Sequence, residues 1–564
     1  SPSHSKKTRS IITWVLIAFA FLIAVNALAV HYIGYILFPL LKAVGLGLVC
    51  LIYGLFIQTY FKHKRISLDI SFGIGLIVTT FYFFILGFLG QLTPPWFYAY
   101  FLGAIPAGMG SATPPYKGKL SRSIRKETLA SLEWLKDGFS YGYLALLFPL
   151  FYAALPPSFF DTLVYHLGIP NLYIQNGGFC ATPQFLYANT SVYYEISLLP
   201  SVFAGDMVPR FFHLIVGIVL TAALVRFARD FLGIRKQGLL TILFVTMPLS
   251  AFLFTTVKND LPGALFILLG IRLLLEKRFA GAGIFLGFAV GIKYFNALPI
   301  AIFLILFIIS RREFPIKKYF FFALTFLTAL LPMLAKNLLY AGNPVFPFLY
   351  SLFPATYWDE SRARMMARDV GRICRSLKDF IYLPYNLSFK EFGSGGRVGI
   401  QFLVFLPFII LFRKGGASPA GKETGQTVPT PQAGTWGKDH SLLFLFTIIT
   451  IFAGCGLTGS IRFFYLPFLL LCGFVLWVYE QKPGLWLNVL LVIVLLLNSA
   501  SSVSLLNYLY KPHLLYTQKM ERDEYIAMTF PAYPAFKFLD SHTPPGSTVL
   551  IVGETRHYYL HRPY

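Results

Sequence analysis

Apolar runs recur along almost the whole chain, separated by short segments that carry Lys and Arg. A helix needs about 20 apolar residues to cross a bilayer, so this pattern predicts a succession of transmembrane helices. The run at 11–30 follows Lys6, Lys7 and Arg9, and the run at 36–61 ends on Lys62, His63, Lys64 and Arg65. Lys and Arg favour cytoplasmic loops, so both clusters are expected inside. Ala27-Leu28-Ala29 also allows a cleaved leader over the first run, and the second would still point inward. A third run, 68–90, leads outward. The stretch 96–109 is broken by Pro106 but precedes Lys117, Lys119, Arg122, Arg125 and Lys126, and reads as a weak fourth span. The alternation continues through 141–155, 211–227, 239–256, 262–275, 280–292, 295–309, 319–335, 400–412, 442–455, 463–479 and 485–503. That makes about 13 to 15 crossings by the length rule, with the C-terminus outside.

Composition agrees with the pattern. Of the 564 residues 56% are hydrophobic and only 13% charged, about half the charged share of a soluble protein. The formal charge of +24 would suit nucleic acid on a folded basic domain, but no such domain is visible. The cations sit in short loops between apolar runs, where they orient a membrane protein. Five cysteines are too few for a disulfide framework. There is no phosphate-binding glycine loop, dinucleotide fingerprint or zinc-ligand spacing.

Three regions are expected. Residues 1–138 form an N-terminal transmembrane block, and 139–505 a transmembrane core. The core carries a first outer loop at 156–209, a second at 336–399 and a Gly/Pro/Thr-rich cytoplasmic linker at 413–440. Residues 506–564 form an outer segment in which the β-branched run 547–553 reads as a strand of an incomplete α/β domain.

An ionisable residue at a membrane boundary is a functional candidate, and this topology puts Asp161, His166, Glu195, Asp206, Asp260, Lys293, Lys336 and Arg462 all on the outer side. Asp161 reads either as the N-cap of an amphipathic surface helix over 162–175 or as a general base. Tyr165 shares its helical face, while His166 points elsewhere. Asp260 has the same two readings, with Pro262 in the first turn of the next helix. Glu195, between aromatic neighbours, needs a partner. Lys293, at the apex of two short spans, either snorkels to the interface or contacts phosphate. Arg364, Arg368, Arg372 and Arg375 follow the spacing of one helical stripe, facing acidic lipid or a substrate phosphate.

Several of these segments resemble polyprenyl-phosphate-dependent membrane glycosyltransferases of the GT-C class, in particular bacterial relatives of the protein O-mannosyltransferases and the lipid A aminoarabinose transferase. They are Phe160-Asp161 with Tyr165-His166 and Gln175-Asn176-Gly177, then Asn259-Asp260-Leu261-Pro262. Lys336-Asn337 with Gly342-Asn343-Pro344 follows, and then 392–399. Arg462 with Pro467, and the terminal run ending in Gly553-Glu554, complete the set. The resemblance implies an all-α GT-C-like bundle with juxtamembrane helices on its outer face, and inverting transfer of a sugar from a polyprenyl-phosphate donor to a hydroxyl acceptor. It implies catalytic roles for Asp161, Asp260 and Glu195, and substrate binding by Tyr165, His166, Lys293, Lys336, Asn337, Arg372 and Arg462. A divalent cation, where one takes part, would be held by Asp161, His166 and Glu195. The expected setting is a bacterial-type inner membrane. Asp161 lacks the adjacent second acidic residue that many relatives carry, and 1–138 is an addition suited to a membrane-complex partner. A non-catalytic structural subunit and a lipid-linked sugar transporter are therefore the rival readings.

Overall fold

The structure, a computed structural model, describes residues 33–61, 67–112, 142, 144–183, 185–311, 315–355, 357–391, 396–412, 436–481 and 484–562. The apolar run at 11–30, the basic clusters at 6–9, 62–65 and 117–126, residues 392–395 and most of the 413–440 linker lie outside them. In chain order the α-helices are α1 (Ile33–Tyr60), α2 (Leu68–Phe88), α3 (Pro94–Ala112), α4 (Leu144–Ala153), α5 (Gly168–Gln175), α6 (Tyr193–Ser197), α7 (Leu199–Ala204) and α8 (Val208–Leu232). There follow α9 (Gln237–Thr246), α10 (Pro248–Thr255), α11 (Asp260–Leu275), α12 (Phe279–Ile292), α13 (Ala297–Arg311), α14 (Ile316–Ala341), α15 (Glu360–Val370), α16 (Leu377–Ile381) and α17 (Leu383–Phe389). The last are α18 (Gln401–Phe412), α19 (Lys438–Leu457), α20 (Tyr465–Gln481), α21 (Leu485–Tyr510), α22 (Pro512–Tyr516), α23 (Arg522–Thr529) and α24 (Tyr533–His542).

Among the described residues, 8 helices are long and apolar enough to cross a membrane: α1, α2, α8, α13, α14, α19, α20 and α21, with α13 and α20 counted together with the 3-10 turns that open them. A ninth is the pair α9 and α10, bent by 77° where Met247 gives way to Pro248, whose ring cannot continue the preceding helix. The fold is thus an all-α, multi-pass membrane protein, and among the described residues fewer helices are long enough to span than the hydropathy pattern suggests there. The apolar helices α4, α12 and α18 are shorter than a bilayer is thick. The hydrophobicity of α12 serves burial inside the bundle, while α4 and α18 bury one side and expose large apolar residues such as Leu144 and Leu411 on the other, a difference that a hydropathy count cannot see.

Close crossings need small residues where lipid offers no hydrophobic drive for association. A Cβ on Gly54 of α1 would lie 1.7 Å from the Ser71 carbonyl oxygen of α2, and one on Gly75 would lie 1.8 Å from that of Cys50. Gly287 brings α12 onto α14 in the same way, its Cβ position 2.4 Å from the Phe326 oxygen.

Two further expectations are corrected. No strand occurs among the described residues, and 547–553 is extended but unpaired. Instead of an α/β domain, the C-terminal segment is three short helices and a tail that folds back on the 156–206 region. There Asn171 and Gln175 donate to the Leu560 carbonyl at 3.4 and 2.6 Å, and the Tyr559 hydroxyl donates to Pro157 at 2.7 Å. That tail covers what was expected to be a surface helix over 162–175. The segment is a π-turn, Thr162–His166, running into α5, and most of it is buried.

Candidate functional site

The antiparallel run of α11 and α12 brings Asp260, at the start of one, beside Lys293, at the end of the other. Arg462, in the 3-10 turn that leads into α20, reaches the same end of the bundle. Its guanidinium lies 3.7 Å from Asp260 Oδ2 and 3.2 Å from Asp161 Oδ2. Lys258, two residues before α11, pairs with the same Asp161 oxygen. The result is one chain of charges, Lys258, Asp161, Arg462, Asp260 and Lys293. The ammonium of Lys258 lies 4.5 Å from the centre of the Phe159 ring, and that of Lys293 3.7 Å from the Phe463 ring. Three cations against two carboxylates leave one net positive charge.

Neither aspartate caps a helix. Asp161 makes no side-chain bond to the turn that follows it, and α11 starts at Asp260 itself after an uncapped Asn259. Ion pairing has displaced the capping role that the local sequence allows.

Glu195 belongs to a second, linked group. His166 Nδ1 lies 2.6 Å from Glu195 Oε1, and Asn259 Nδ2 donates to the same oxygen at 3.5 Å. The π-turn makes this contact. Its signature is the Leu167 N–H bonded to the Thr162 carbonyl at 2.9 Å, and its extra residue per turn swings His166 away from Asp161 toward α6. Single π-turns concentrate at functional sites.

Of these groups Glu195, Asn259, Lys293 and Arg462 face a cavity of about 120 Å³, walled also by Tyr165 and Tyr294. It opens into a wider one of about 760 Å³, sharing Phe295, Pro347, Phe348 and Met366 with it. Arg368, Arg372 and Arg375 line the wider space. They are not one helical stripe. Helix α15 ends at Gly371, whose φ of +56° favours glycine, so Arg372 and Arg375 lie in the irregular link to α16. Arg364 pairs with Glu360 on the exposed face of α15 at 2.7 Å.

Lys336 and Asn337 do not touch the cavity. They lie in the last turns of α14 rather than in a loop. Lys336 donates to the Ala188 carbonyl at 2.5 Å, caged by the rings of Tyr173, Phe179 and Tyr340. Asn337 donates to the Tyr294 hydroxyl at 2.9 Å and so braces the cavity wall.

Electrostatics separate the carboxylates. Burial alone would raise the Asp161 carboxyl, but Lys258 and Arg462 beside it reverse that and hold it well below its ordinary value. Burial pushes Glu195 up to about 8, and burial followed by the Lys258 charge pushes the His166 imidazole well below its usual value. Near neutral pH the pair is therefore a carboxylic acid and a neutral imidazole sharing a hydrogen bond. Burial, then the Arg462 charge, lowers the Lys258 ammonium to about 7. Lys293 is lowered to about 8 by burial, against the opposing pull of Asp260.

Asp161, His166 and Glu195 do not form a metal site. Among the described residues no three His, Cys, Asp or Glu side chains are placed to hold an ion. Asp161 is occupied by two cations and His166 by Glu195, so the donor set does not fit a divalent metal.

Sequence reasoning missed three residues. Lys258 carries no sequence signal beyond its place before Asn259, and Asn259 stands out only as part of a motif. Arg210 is buried and donates to the carbonyls of Pro156 at 2.7 Å, Tyr152 at 2.8 Å and Thr255 at 2.7 Å. It ties the segment leading to Asp161 onto α10.

The site belongs to a polytopic membrane protein with a charged cavity at one end of its helical bundle. No family model, curated protein or solved structure matches the chain.

Proposed function

We propose that the protein is an inverting glycosyltransferase that moves a sugar from a polyprenyl-phosphate donor to a hydroxyl-bearing acceptor. The observation that carries this reading is the shared cavity. One buried carboxyl, Glu195, and two cations, Lys293 and Arg462, face a single space at the end of apolar helices. The Oε2 atom of Glu195 is buried with no hydrogen-bond partner among the described residues. The resemblance to GT-C enzymes supplies the substrate class, and the reading takes this face as the outer side of a bacterial-type inner membrane, which the distribution of Lys and Arg between the apolar runs favours.

The step balances as follows. The ionised Glu195 accepts the acceptor's hydroxyl proton, and His166 behind it holds the carboxyl and shares the proton. The acceptor oxygen attacks the anomeric carbon from the side opposite the phosphate. The bond from that carbon to the phosphate oxygen breaks, and its electron pair leaves with the prenyl phosphate. A phosphodiester donor carries one negative charge and the leaving group more, so the surplus positive charge of the cluster favours the state in which charge builds up. Glu195 suits the base better than Asp161, because a general base works best with a pKa near the operating pH. Asp161, tied to Lys258 and Arg462, is a positioning residue. The Arg-lined outer space is a route for the phosphate headgroup.

Purified protein reconstituted in vesicles with a panel of prenyl-phospho-sugars should release free polyprenyl phosphate. Glu195→Gln should lower that release at least ~100-fold, the lower range for losing a general base. A folded protein that turns over no donor would point to the structural-subunit reading, and full activity in Glu195→Gln would remove the proposed base.

A further inference from the structure

The irregular link between α15 and α16 is bonded along its length to the end of α19. The Ile373 N–H donates to the Thr458 carbonyl at 3.1 Å, the Cys374 N–H to the Cys455 carbonyl at 2.9 Å, and the Gly459 N–H to the Val370 carbonyl at 2.7 Å. The absence of a side chain at Gly459 permits the approach, since a Cβ there would lie 2.9 Å from the Val370 oxygen. Beyond Cys374, the rings of Phe380 in α16 and Phe452 in α19 stack with centroids 5.7 Å apart. The contact is thus held on both sides of Cys374 and Cys455.

This pairing puts two thiols together. A bonded N–H and C=O leave their two Cα atoms about 5–6.5 Å apart, within the roughly 4.4–6.8 Å that a disulfide spans. Both side chains are buried, each 3% exposed, in one continuous apolar core. They are near enough for a charge on one to act on the other, and both are free thiols in the structure. Cys180 lies elsewhere, by Lys336 and Tyr340 in the last turns of α14. Burial, followed by the Asp379 charge, pushes the Cys374 thiol up to about 11. A thiol so rarely ionised in place is a poor nucleophile and suits a crosslink better than a catalytic role. The pair lies at the Arg462 end of the bundle, the side taken as outer, where disulfides form and persist.

We infer that Cys374 and Cys455 are oxidised to a disulfide that staples the link between α15 and α16 to the end of α19. The thiolate of one attacks the disulfide of a donor, either a protein disulfide or a glutathione-type one, and expels a donor thiol. The second thiolate then attacks the mixed disulfide, closes the S–S bond and releases the other donor thiol. Two electrons and two protons pass to the donor. Arg372 and Arg375 flank Cys374, Leu457 follows Cys455, and all three line the wider cavity, so the staple fixes one of its walls. The inference does not depend on the transferase reading, and its test involves no enzyme assay.

Full-length protein in detergent is reduced, freed of reductant and incubated with oxidised glutathione just below its unfolding midpoint, where the link opens and burial is no barrier. Remaining thiols are alkylated, and unreduced peptides are read by mass spectrometry. A Cys374–Cys455 crosslink should form in most molecules and be reversed by dithiothreitol. It should raise the unfolding midpoint by roughly 5 °C, from closing a long loop. Cys374→Ser and Cys455→Ser should each lose that rise, and Cys180→Ser should keep it. Thiols that stay free, or a stable glutathione adduct on Cys374 without the crosslink, would overturn the staple on its geometry. Protein alkylated at harvest, with no reductant present, should already carry the bond. A crosslink that forms with glutathione but is absent at harvest would overturn the staple as a native feature, and with it the outer placement of this face.

Discussion

Replacing Asp161 with Asn leaves the Lys258 ammonium, fully buried, without its counter-charge. Arg462 keeps only Asp260. By formal count the cluster then carries two surplus positive charges instead of one, with the Lys258 side chain fully buried. Removing one partner of a buried ion pair costs about 3–5 kcal/mol, chiefly because the other charge stays buried. A second change, Lys258→Met, removes that orphan. Methionine matches the lysine stem in length and keeps a favourable contact with the Phe159 and Phe252 rings. Asp161→Asn should therefore lower the unfolding midpoint in detergent markedly, and Asp161→Asn/Lys258→Met should recover most of the loss. Prenyl phosphate release from the same preparations separates the two candidate bases. With Glu195 as base, the double variant keeps more activity than Glu195→Gln, because the carboxyl facing the cavity is intact. If the stability losses of Asp161→Asn and Lys258→Met simply add, the coupling argument fails. If the double variant is stable yet as inactive as Glu195→Gln, Asp161 is the base and the positioning role assigned to it is wrong.

Because Glu195 must be ionised to act, turnover should rise with pH through an apparent value of about 8 belonging to the Glu195–His166 pair, measured as kcat/KM from pH 6 to 9.5. Stability should move the opposite way. The folded carboxyl binds its proton more tightly than the unfolded one, so the contribution of Glu195 to stability is fully present below about 4.5 and is lost as pH rises toward about 8; the difference between wild-type and Glu195→Gln unfolding midpoints should change in that window. Arg372→Gln/Arg375→Gln should raise the KM for donor and leave kcat nearly unchanged, since both residues line the outer space and neither faces the inner one; a loss confined to kcat would contradict the entry-route role. Gly75→Ala puts a Cβ 1.8 Å from a backbone oxygen that cannot move aside, and should cost near the upper end of the ~1–3 kcal/mol seen for overpacking, read as a lowered unfolding midpoint.

Much of the site was legible as a list of residues but not as a geometry. Asp161, Glu195, Asp260, Lys293 and Arg462 were identifiable because a charge at the edge of an apolar segment has few innocent explanations. Their pairing was not, since it joins positions as far apart as Asp161 and Arg462. Periodicity correctly denied an Asp161–His166 pair, but nothing in 162–166 announces a π-turn, whose wider winding turns His166 toward Glu195. The stripe through Arg364 and Arg375 failed because Gly371 ends the helix, a backbone event that side-chain spacing ignores. Lys336 failed because it lies inside α14 and satisfies its charge on a carbonyl and aromatic faces.

By itself the sequence determined the solvent. A chain this apolar, with its cations gathered between hydrophobic runs, can fold only where backbone polar groups are satisfied within helices, and that dictates an all-α, multi-pass protein. What only the tertiary structure decided is which apolar helices face lipid and which are buried, and which charges meet. Hydropathy measures a residue's preference for leaving water and is blind to whether lipid or protein replaces it. Ion pairing depends on distances of a few ångströms between segments tens or hundreds of residues apart, and those are set by packing.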